Sequence, residues 1–393
     1  MKILFVDKQE KTAAGMGTYS DEVIRILTRR GQQIIPLRYG DQPQESDPKN
    51  TILLPYLVGN KAVYFIPRRK TFDVVRKVIE EQKPDVVHLS MALSPFDFYI
   101  PKLCHDHKIP VVGILHAGFP PGKTTNFTTL GVKSVFISYL PCLMQLDRII
   151  VFSQAVADFL RDKKINPEKI CIIPNSVDIN LYSPGGSRFK NKNKIKFAFL
   201  FLGRLDRQKN PDLLIKSFLA LNPPPEQKLI IVGKGTMGLL GDRLMEEYKK
   251  HPQIIFTGAI TDPKQKVDII RAANVFVQPS SFEGMSFSLL ETMSCELAPI
   301  CSDVGNHAEV IGDSGIIISC DLIEEQLPVA LQIFSKSPSY AKILGKKARG
   351  VILQKYNLEK QVENLIKIYK EVSETRKKFI PRPSIFQRIF KLG

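Results

Sequence analysis

Short apolar runs alternate with segments of helical periodicity along the first half of the chain. The run "KILFVD" (2–7) has the composition of a buried strand, and a helix is predicted from about Thr18 to Arg30. Strands that are apolar throughout and separated by helices are typical of a parallel sheet covered on both faces. The other predicted elements of this half are an amphipathic basic helix at 71–82 and strands at 32–38, 84–90, 110–116 and 148–153.

The alternation pauses at 175–194, a stretch rich in Gly, Asn, Ser and charge that is predicted to be an interdomain linker. A second alternating run follows it. Its predicted strands lie at 195–204, 228–233, 253–258, 274–280, 298–303 and 315–319. The fold class predicted from this pattern is α/β, with two Rossmann-like, doubly wound domains that face a cleft at the carboxyl ends of their strands.

The predicted boundaries give four segments. They are a first domain at 1–185, a second domain at 195–356, a crossover helix at 357–375 and a basic tail at 376–393. The helix is expected to pack back across the domains rather than to form a coiled coil. Its apolar positions are Val362, Leu365, Ile366, Ile368, Tyr369 and Val372.

The composition is that of a globular protein: of 393 residues, 44% are apolar and 24% are charged. Six cysteines are scattered without a C-x-x-C pair, which argues for reduced thiols and against a zinc or disulfide framework. The sequence has no run of about 18 apolar residues, so no membrane-spanning helix is expected. The start "MKILFVD" resembles a strand rather than a signal peptide, and the expected location is the cytoplasm.

The charge is unusual, because 56 basic and 39 acidic residues give a net charge of +17. Such an excess suits nucleic acid, an anionic membrane face or phosphorylated substrates. Basic residues cluster at 67–70, 187–196 and 376–393. The last cluster is either a solvated tail or an amphipathic element on the inner face of the membrane. No nucleic-acid-binding signature accompanies the clusters, so nucleic acid is disfavoured as a partner.

The stretch "SFEGMSFSLLE" (281–291) places two acids eight residues apart where a strand leads into a helix. On one helix they would lie about 12 Å apart and about 80° from one another around the axis. We therefore expect Glu283 in the loop and Glu291 in the first helical turn, both facing a pocket whose N–H groups attract phosphate. The acids themselves would face sugar hydroxyls. Alternatively, "SLLE" (288–291) is a capping box in which Glu291 bonds only the backbone.

A second candidate site is "FLGRLDRQKNPDLLI" (201–215). Gly203 ends a predicted strand there, and Arg204 and Lys209 precede a helix predicted from Pro211. A glycine that permits close approach, followed by two cations, suits a diphosphate. The alternative is a pair of solvated loop cations.

Two weaker candidates lie in the first half. Gly15 and Gly17 precede the first helix, so their amides would face an anion across the cleft. His116 ends a predicted strand on the cleft side. A single histidine is also compatible with a hydrogen-bonded core residue.

Together these features resemble the GT-B-fold glycosyltransferases of the retaining GT4 family. The E-x7-E motif is Glu283 to Glu291, the basic motif is "GRLDRQKN", and "IIPNSVDINLYSP" (172–184) resembles the family's P-N-G-V-D segment. The stretch "IVGKG" (231–235) also fits. The resemblance covers residues 1–372 and implies an acceptor-binding first domain and a donor-binding second domain.

The resemblance implies a nucleotide-sugar donor, UDP- or GDP-linked, and no permanently bound cofactor or metal. Arg204 and Lys209 would bind its diphosphate, Glu291 its ribose, and Glu283 hydroxyls of the transferred sugar. His116 would contact the sugar near its 6-position, which gives His116, Glu283, Arg204 and Lys209 as candidate catalytic residues. Further implied donor contacts are Gly15, Gly17, Gly233, Ala259 in the base-binding segment 257–260, Gly284, and the amides of Met285, Ser286 and Phe287.

The sequence departs from the family pattern at five positions. Ser176, Glu296 and Asn306 stand where glycine is usual, and Met285 and Phe287 alter the usual E-G-F-G run. No charged donor contact is lost. The missing glycines bear on how closely the sugar approaches the backbone, and hence on which sugar is used.

The chain contains no D-x-D motif, so a metal-independent reaction by front-face attack is the expectation. The acceptor is expected to be a saccharide, lipid-linked in a cell-surface polymer or glycolipid, bound near 118–129 and 135–146. Two alternatives stay open. One is a sugar-nucleotide epimerase or a soluble sucrose- or glycogen-type synthase, and the other is a non-catalytic binding module.

Overall fold

The computed structural model describes residues 1–7, 15–40, 50–60, 64–91, 96–115, 137–235 and 240–378, together with Gln42, Asp47, Pro48 and Ser94. The chain is divided into two compact units. Described residues within 1–116, 135–173 and 362–393 form unit 1, and those within 174–361 form unit 2.

Unit 1 has nine strands: β1 (Lys2–Asp7), β2 (Gln33–Tyr39), β3 (Ile52–Leu54), β4 (Tyr56–Asn60), β5 (Tyr64–Pro67), β6 (Val86–Met91), β7 (Val111–Leu115), β8 (Arg148–Val151) and β9 (Ile170–Ile172), counted in the described residues. Seven of them form a parallel sheet with the order β3-β2-β1-β6-β7-β8-β9, and β4 and β5 form a separate antiparallel hairpin. The helices of unit 1 are α1 (Gly15–Arg29), α2 (Arg69–Gln82), α3 (Phe96–Asp106), α4 (137–145) and α5 (Gln154–Asp162).

The strands of unit 2 are β10 (Phe197–Leu202), β11 (Gln227–Val232), β12 (Ile254–Gly258), β13 (Val275–Gln278), β14 (Ala298–Ser302) and β15 (Ile316–Ile318). They form a second parallel sheet with the order β12-β11-β10-β13-β14-β15. The helices of unit 2 are α6 (Arg188–Lys192), α7 (Pro211–Ala220), α8 (Leu240–Tyr248), α9 (Pro263–Ile270), α10 (Phe287–Ser294), α11 (His307–Ile311), α12 (Ile323–Lys336) and α13 (Pro338–Lys355), and α14 (Leu358–Lys378) continues from unit 2 into unit 1.

The strands of unit 2 are apolar throughout because both faces of the sheet are covered. Alternate residues of a strand point to opposite faces. On β10, Ala198 and Leu200 join one buried cluster, whereas Phe197, Phe199 and Phe201 join the other. The strand pattern therefore reflects burial on two sides, as expected for a parallel sheet.

Helix α14 contributes to the core of unit 1. Tyr369 is fully buried, and its hydroxyl is hydrogen-bonded to Nδ1 of His88 on β6. Farther along the helix, Nε of Arg376 lies 3.3 Å from Oδ1 of Asp147. These contacts attach the second half of α14 to unit 1.

The structure differs from the sequence-based expectations in three places. Helix α1 begins at Gly15 rather than near Thr18. Residues 175–194 are not an extended linker, because Val177 and Tyr182 lie in the core of unit 2 and α6 lies within the segment. Residues 174–185, assigned above to the first domain, cluster with unit 2.

Candidate active site

Three loops at the carboxyl ends of β10, β11 and β12 are joined through their backbones. The N–H of Gly203 donates to the Val232 carbonyl (3.0 Å), and that of Gly233 donates to the Gly258 carbonyl (2.9 Å). Gly233 has a φ of +144°, and a Cβ there would lie 1.8 Å from the Gly203 oxygen. Only glycine fits, because a side chain would force these loops apart.

The carboxylate of Glu283 is buried and receives three donors on one oxygen. Lys209 Nζ forms an ion pair with Oε1, and Gln278 Nε2 (2.6 Å) and Ser280 Oγ (2.7 Å) donate to the same atom. Burial alone would raise the pKa of Glu283. The Lys209 ammonium, the nearby His307 and the hydrogen bonds from Lys209 and Ser280 outweigh burial, so the pKa of Glu283 is lowered and the carboxylate stays ionised.

A hydrogen-bond chain connects Glu283 with the start of α10. Ser286 Oγ donates to Gln278 Oε1 (2.9 Å) and accepts the N–H of Leu289 (3.3 Å). Ser286 is therefore the N-cap of α10, and Leu289 stands where a capping box would place its acid. The alternative in which Glu291 caps this helix is wrong.

Glu291 lies in the second turn of α10, not in the first turn as expected from the sequence. Its side chain is buried, and Lys266 Nζ on α9 donates to its Oε1 at 2.6 Å. The same ammonium lies 5.3 Å from the centre of the Tyr182 ring, within the range of a cation–π contact. The two acids of the E-x7-E motif are thus both paired with lysines from other elements.

The loop after β14 packs against the backbone of the Glu283 loop. Gly305 has a φ of +61°, and a Cβ on it would lie 2.4 Å from the Gly284 oxygen. His307 donates from Nδ1 to the Ser302 carbonyl (2.9 Å). Burial lowers the pKa of His307 and Lys209 adds to the effect, against the opposing influence of Glu283.

Two asparagines next to the Glu283 loop or the Gly305 loop have buried side chains. The Asn175 N–H approaches Met285 Sδ at 3.2 Å, and Asn306 follows Gly305 directly. The Oδ1 atoms of Asn175 and Asn306 have no hydrogen-bond partner among the residues that the structure describes. Buried acceptors of this kind normally find a donor. The φ of Asn306 is −111°, so this position does not require the glycine that is usual there.

Arg204 faces solvent beside the same loops. Its side chain is 46% exposed, pairs with Asp206 at 2.8 Å and donates to Gln208 Oε1 at 3.2 Å. Gln208 in turn donates from Nε2 to the Phe282 carbonyl at 2.8 Å. The loop that carries Arg204 is therefore attached to the loop that carries Glu283, as a shared site requires.

The sequence-predicted residues are brought together only in part. Arg204, Lys209, Glu283 and Gly284–Phe287 form one neighbourhood, whereas Gly15 and Gly17 lie in the first turn of α1 in unit 1. Ala259 lies exposed in the loop between β12 and α9. His116 lies outside the described residues. In the described part of the chain, no group of three His, Cys, Asp or Glu side chains could hold a metal ion.

The sequence analysis missed four polar residues of the site. They are Lys266, Gln278, Ser280 and His307. Gln278 carried a detectable signal, because it is a polar residue at the end of the apolar run "NVFVQ". Ser280 lies three residues before Glu283, inside the loop that the motif occupies. Lys266 and His307 reach the acids from other elements, which spacing along the chain does not reveal.

Two family models match the sequence, one in each half. The family described as Glycosyltransferase Family 4 matches residues 13–181, and Glycosyl transferases group 1 matches residues 187–349. The chain belongs to the GT-B glycosyltransferases, which confirms the family resemblance and the predicted fold class.

Curated relatives are similar at modest identity. An Escherichia coli protein named UDP-Gal:alpha-D-GlcNAc-diphosphoundecaprenol alpha-1,3-galactosyltransferase is 28% identical over 81% of this chain and 86% of its own length. An uncharacterised glycosyltransferase of Methanocaldococcus jannaschii is 28% identical over 58% of this chain and 59% of its own length. The chain spans 57% of a yeast phosphatidylinositol N-acetylglucosaminyltransferase subunit, at 24% identity over 66% of this chain. Several relatives are thus matched over less than two thirds of their length.

Solved structures share the fold at low identity. Anabaena HepE in complex with UDP has a TM-score of 0.74 and 15% identity, with 94% of this chain and 100% of that chain covered. The sucrose-phosphate synthase of Thermosynechococcus elongatus has a TM-score of 0.71 and 18% identity, with coverages of 95% and 99%.

Proposed function

We propose that this glycosyltransferase takes a sugar from a nucleotide-diphosphate donor and transfers it, with retention of configuration, to a hydroxyl of a lipid-linked saccharide. The observation that carries the proposal is the buried Lys209–Glu283 pair next to the start of α10, with Gln278 and Ser280 bonded to the same carboxylate oxygen. Support comes from the donor and acceptor in the name of the Escherichia coli relative, which is 28% identical to this chain.

The nucleotide would lie along the carboxyl ends of β10 to β13 in unit 2. Arg204 is exposed and attached to the Glu283 loop, so its guanidinium is available to a diphosphate. Glu291 would accept hydrogen bonds from ribose hydroxyls while Lys266 holds one of its oxygens. The base would lie against 257–260, in the loop where Ala259 is exposed.

The transferred sugar would be held by acceptors that the structure keeps ionised or unpartnered. Glu283 is an ionised acceptor for sugar hydroxyls because Lys209 and His307 lower its pKa. The buried Oδ1 atoms of Asn175 and Asn306 are acceptors without a partner among the described residues, and hydroxyls of a sugar would satisfy them. The amides around Met285 would approach the phosphate or the sugar.

The reaction would need no metal, because protein groups can neutralise the leaving diphosphate. Negative charge develops on the phosphate oxygen as its bond to the anomeric carbon breaks. Arg204, Lys209 and the positive end of the α10 dipole would stabilise that charge. The departing phosphate oxygen then takes the proton of the acceptor hydroxyl, which attacks the anomeric carbon from the same face and so retains its configuration.

Because the proposed acceptor is lipid-linked, the sugar transfer would take place at the cytoplasmic face of a membrane. Among the helices of the described residues, none is both long enough and apolar enough to cross a bilayer. The protein would contact the membrane surface peripherally, attracted to anionic lipids by its net charge of +17. Nucleic acid would not be a partner.

The test is a transfer assay with α-linked UDP-, GDP- and ADP-sugars and a polyprenyl-diphosphate GlcNAc acceptor, read by product NMR. We expect an α-linked product from one donor, and none from the Glu283→Gln variant, because the variant lacks the ionised acceptor. A β-linked product would contradict retention. The absence of product with every donor would contradict the proposal.

The same assay separates the alternatives. An epimerase would convert the donor sugar without an acceptor, and a sucrose- or glycogen-type synthase would use a soluble sugar in place of the lipid-linked one. A non-catalytic binding module would consume no donor. The likeness to sucrose-phosphate synthase concerns the fold alone, at 18% identity, so it does not favour the second alternative.

A further inference from the structure

The β4–β5 hairpin of unit 1 has an inner and an outer side. Tyr56 is registered with Pro67, and both face the unit: Pro67 is buried, and the Tyr56 ring lies 6.2 Å from the ring of the fully buried Tyr39. Because residues alternate across a strand, the neighbours of Pro67 point the other way. These neighbours are Ile66 and Arg68.

Two large apolar side chains lie exposed on the outer side. Leu57, at the irregularity between Tyr56 and Val58, is 64% exposed, and Ile66 is 44% exposed. Among the large apolar side chains whose exposure the structure describes, Leu57 is the most exposed. Each exposure alone is ordinary, but the two lie on paired strands.

Three consecutive cations directly follow the hairpin, and the side chain of the first is hydrogen-bonded to it. Arg68 donates from Nε to the Tyr56 carbonyl (3.0 Å), which holds its side chain against the hairpin. Arg69 and Lys70 follow as the first residues of α2, and both are exposed. Thr71 attaches this helix start to the hairpin through a hydrogen bond from its hydroxyl to the Pro55 carbonyl. Leu57, Ile66, Arg68, Arg69 and Lys70 are called the hairpin patch below.

The three cations lie at the N-terminus of α2, where positive charge does not stabilise a helix. Residues near a helix N-terminus are stabilised when they are acidic, and N-cap positions favour Ser, Thr, Asp or Asn. Helix α2 has Arg68 at the N-cap without a side-chain cap and no acid in its first turn. Asp73 is the one acid in its first two turns. The basic start of α2 is therefore not explained by the stability of the helix, which points to an external anion.

We propose that the hairpin patch is the surface by which unit 1 docks on an anionic bilayer. Leu57 and Ile66 enter the boundary between headgroups and acyl chains, while Arg68, Arg69 and Lys70 contact lipid phosphates. A bilayer fits better than a soluble anion because the cations are joined to an exposed apolar pair, which a dissolved phosphate would not cover. The choice of a membrane rests on the proposed function, whose acceptor is lipid-linked.

The test is co-sedimentation of the full chain with phosphatidylcholine vesicles that contain or lack 30% phosphatidylglycerol. We compare an apolar variant, Leu57→Asn with Ile66→Asn, and a charge variant, Arg68→Gln with Arg69→Gln and Lys70→Gln. The charge variant should bind anionic vesicles about 100-fold more weakly, at about fivefold per cation. The apolar variant should bind more weakly at high salt as well as at low salt, because apolar contact is not screened.

Matched controls in unit 2 separate the patch from net charge and general apolarity. Lys192→Gln, Lys194→Gln and Lys342→Gln together remove three exposed charges, and Val329→Asn with Ile343→Asn removes two exposed apolar side chains. Both controls should bind like the unsubstituted chain. An equal loss of vesicle binding in the patch and control variants would overturn the proposal. Normal vesicle binding by the patch variants would also overturn it and would point to the basic tail instead.

Nucleotide-sugar titration of the same variants keeps the two proposals separate. All of them should bind the donor like the unsubstituted chain and unfold at a similar temperature. Donor binding that is absent from every protein would refute the proposed function and leave the vesicle result standing. Vesicle binding that the patch substitutions leave unchanged would refute the docking proposal but not the proposed function.

Discussion

At the scale of single residues, the site depends on pairing buried acids with lysines from other elements. A buried carboxylate without a partner is strongly disfavoured. Glu283 is ionised because Lys209, His307 and two hydrogen bonds outweigh its burial, and Glu291 is paired with Lys266. The ammonium groups therefore fix the carboxylates that the proposed function uses.

The pKa of Glu283 predicts a pH dependence of stability. Its folded pKa lies below the ordinary value of 4.5, so its contribution is complete above pH 4.5 and is lost as the pH falls through the folded pKa. At pH 7, Glu283→Gln should lower the free energy of unfolding by about 3 kcal/mol, because it leaves Lys209 buried without its partner. Guanidinium unfolding from pH 7 to pH 3 measures this difference.

The difference between the two proteins should shrink below pH 4.5, since the acidified wild type also loses the pair. Asp313→Asn, at an exposed pair with Lys347, is the matched control and should change little at any pH. A gap between wild type and Glu283→Gln that stays constant down to pH 3 would rule out this account.

The sequence singled out Lys209 and Glu283, which pair with each other, but not Lys266, the partner of Glu291. The E-x7-E spacing and "GRLDRQKN" identified Glu283, Glu291, Arg204 and Lys209. The pairing of Glu291 with Lys266 joins α10 to α9 across 25 residues, and no local pattern encodes such a contact. The capping-box alternative failed because Ser286, two residues before Ser288, occupies the N-cap.

At the scale of elements, the end of α10 carries a strained residue. Glu296 has a φ of +67°, a left-handed conformation that costs a non-glycine residue about 1–2 kcal/mol. Gly345 on α13 permits the close contact there, since a Cβ on it would lie 2.0 Å from the Glu296 oxygen. The backbone at 296 is thus held by packing against α13, and glycine would suit it better.

Glu296→Gly should therefore stabilise unit 2 by about 1 kcal/mol, a rise of about 2–4 °C in its unfolding temperature. Differential scanning calorimetry measures the shift. Glu296→Ala is the control, because it removes the carboxylate and keeps the Cβ. If the alanine variant were as stable as the glycine variant, backbone strain would not be the cause.

The long, apolar elements were predictable, and the short ones were not. All eleven strands predicted from apolar runs are present within a few residues of their predicted positions. The four missed strands are β3, β4, β5 and β9. β3 and β9 have three residues each and lie at the edges of their sheet, and β4–β5 is a separate hairpin, so little apolar periodicity marks them.

At the scale of the whole molecule, the chain has two α/β units, each with a parallel sheet, and a last helix that continues from unit 2 into unit 1. The alternation of apolar strands and helices predicted the two α/β halves, and in unit 2 buried clusters cover both faces of the sheet. The linker prediction at 175–194 failed for a physical reason. Its Gly, Asn and Ser residues suggested solvent exposure, yet Val177 and Tyr182 between them pack in the core of unit 2.

The central claim concerns the whole enzyme: unit 2 binds a nucleotide sugar, with Glu291 on its ribose. Calorimetric titration of the full chain with UDP-, GDP- and ADP-sugars tests it most directly. Glu291→Gln is the variant, and Glu324→Gln, at an exposed acid in the first turn of α12, is the matched control.

We predict micromolar binding of one nucleotide sugar, weakened about 10- to 100-fold by Glu291→Gln, the loss expected for hydrogen bonds to a charged acceptor. Glu324→Gln should bind like the wild type. Binding that Glu291→Gln leaves unchanged, or the absence of binding by any of the three donors, would contradict the account.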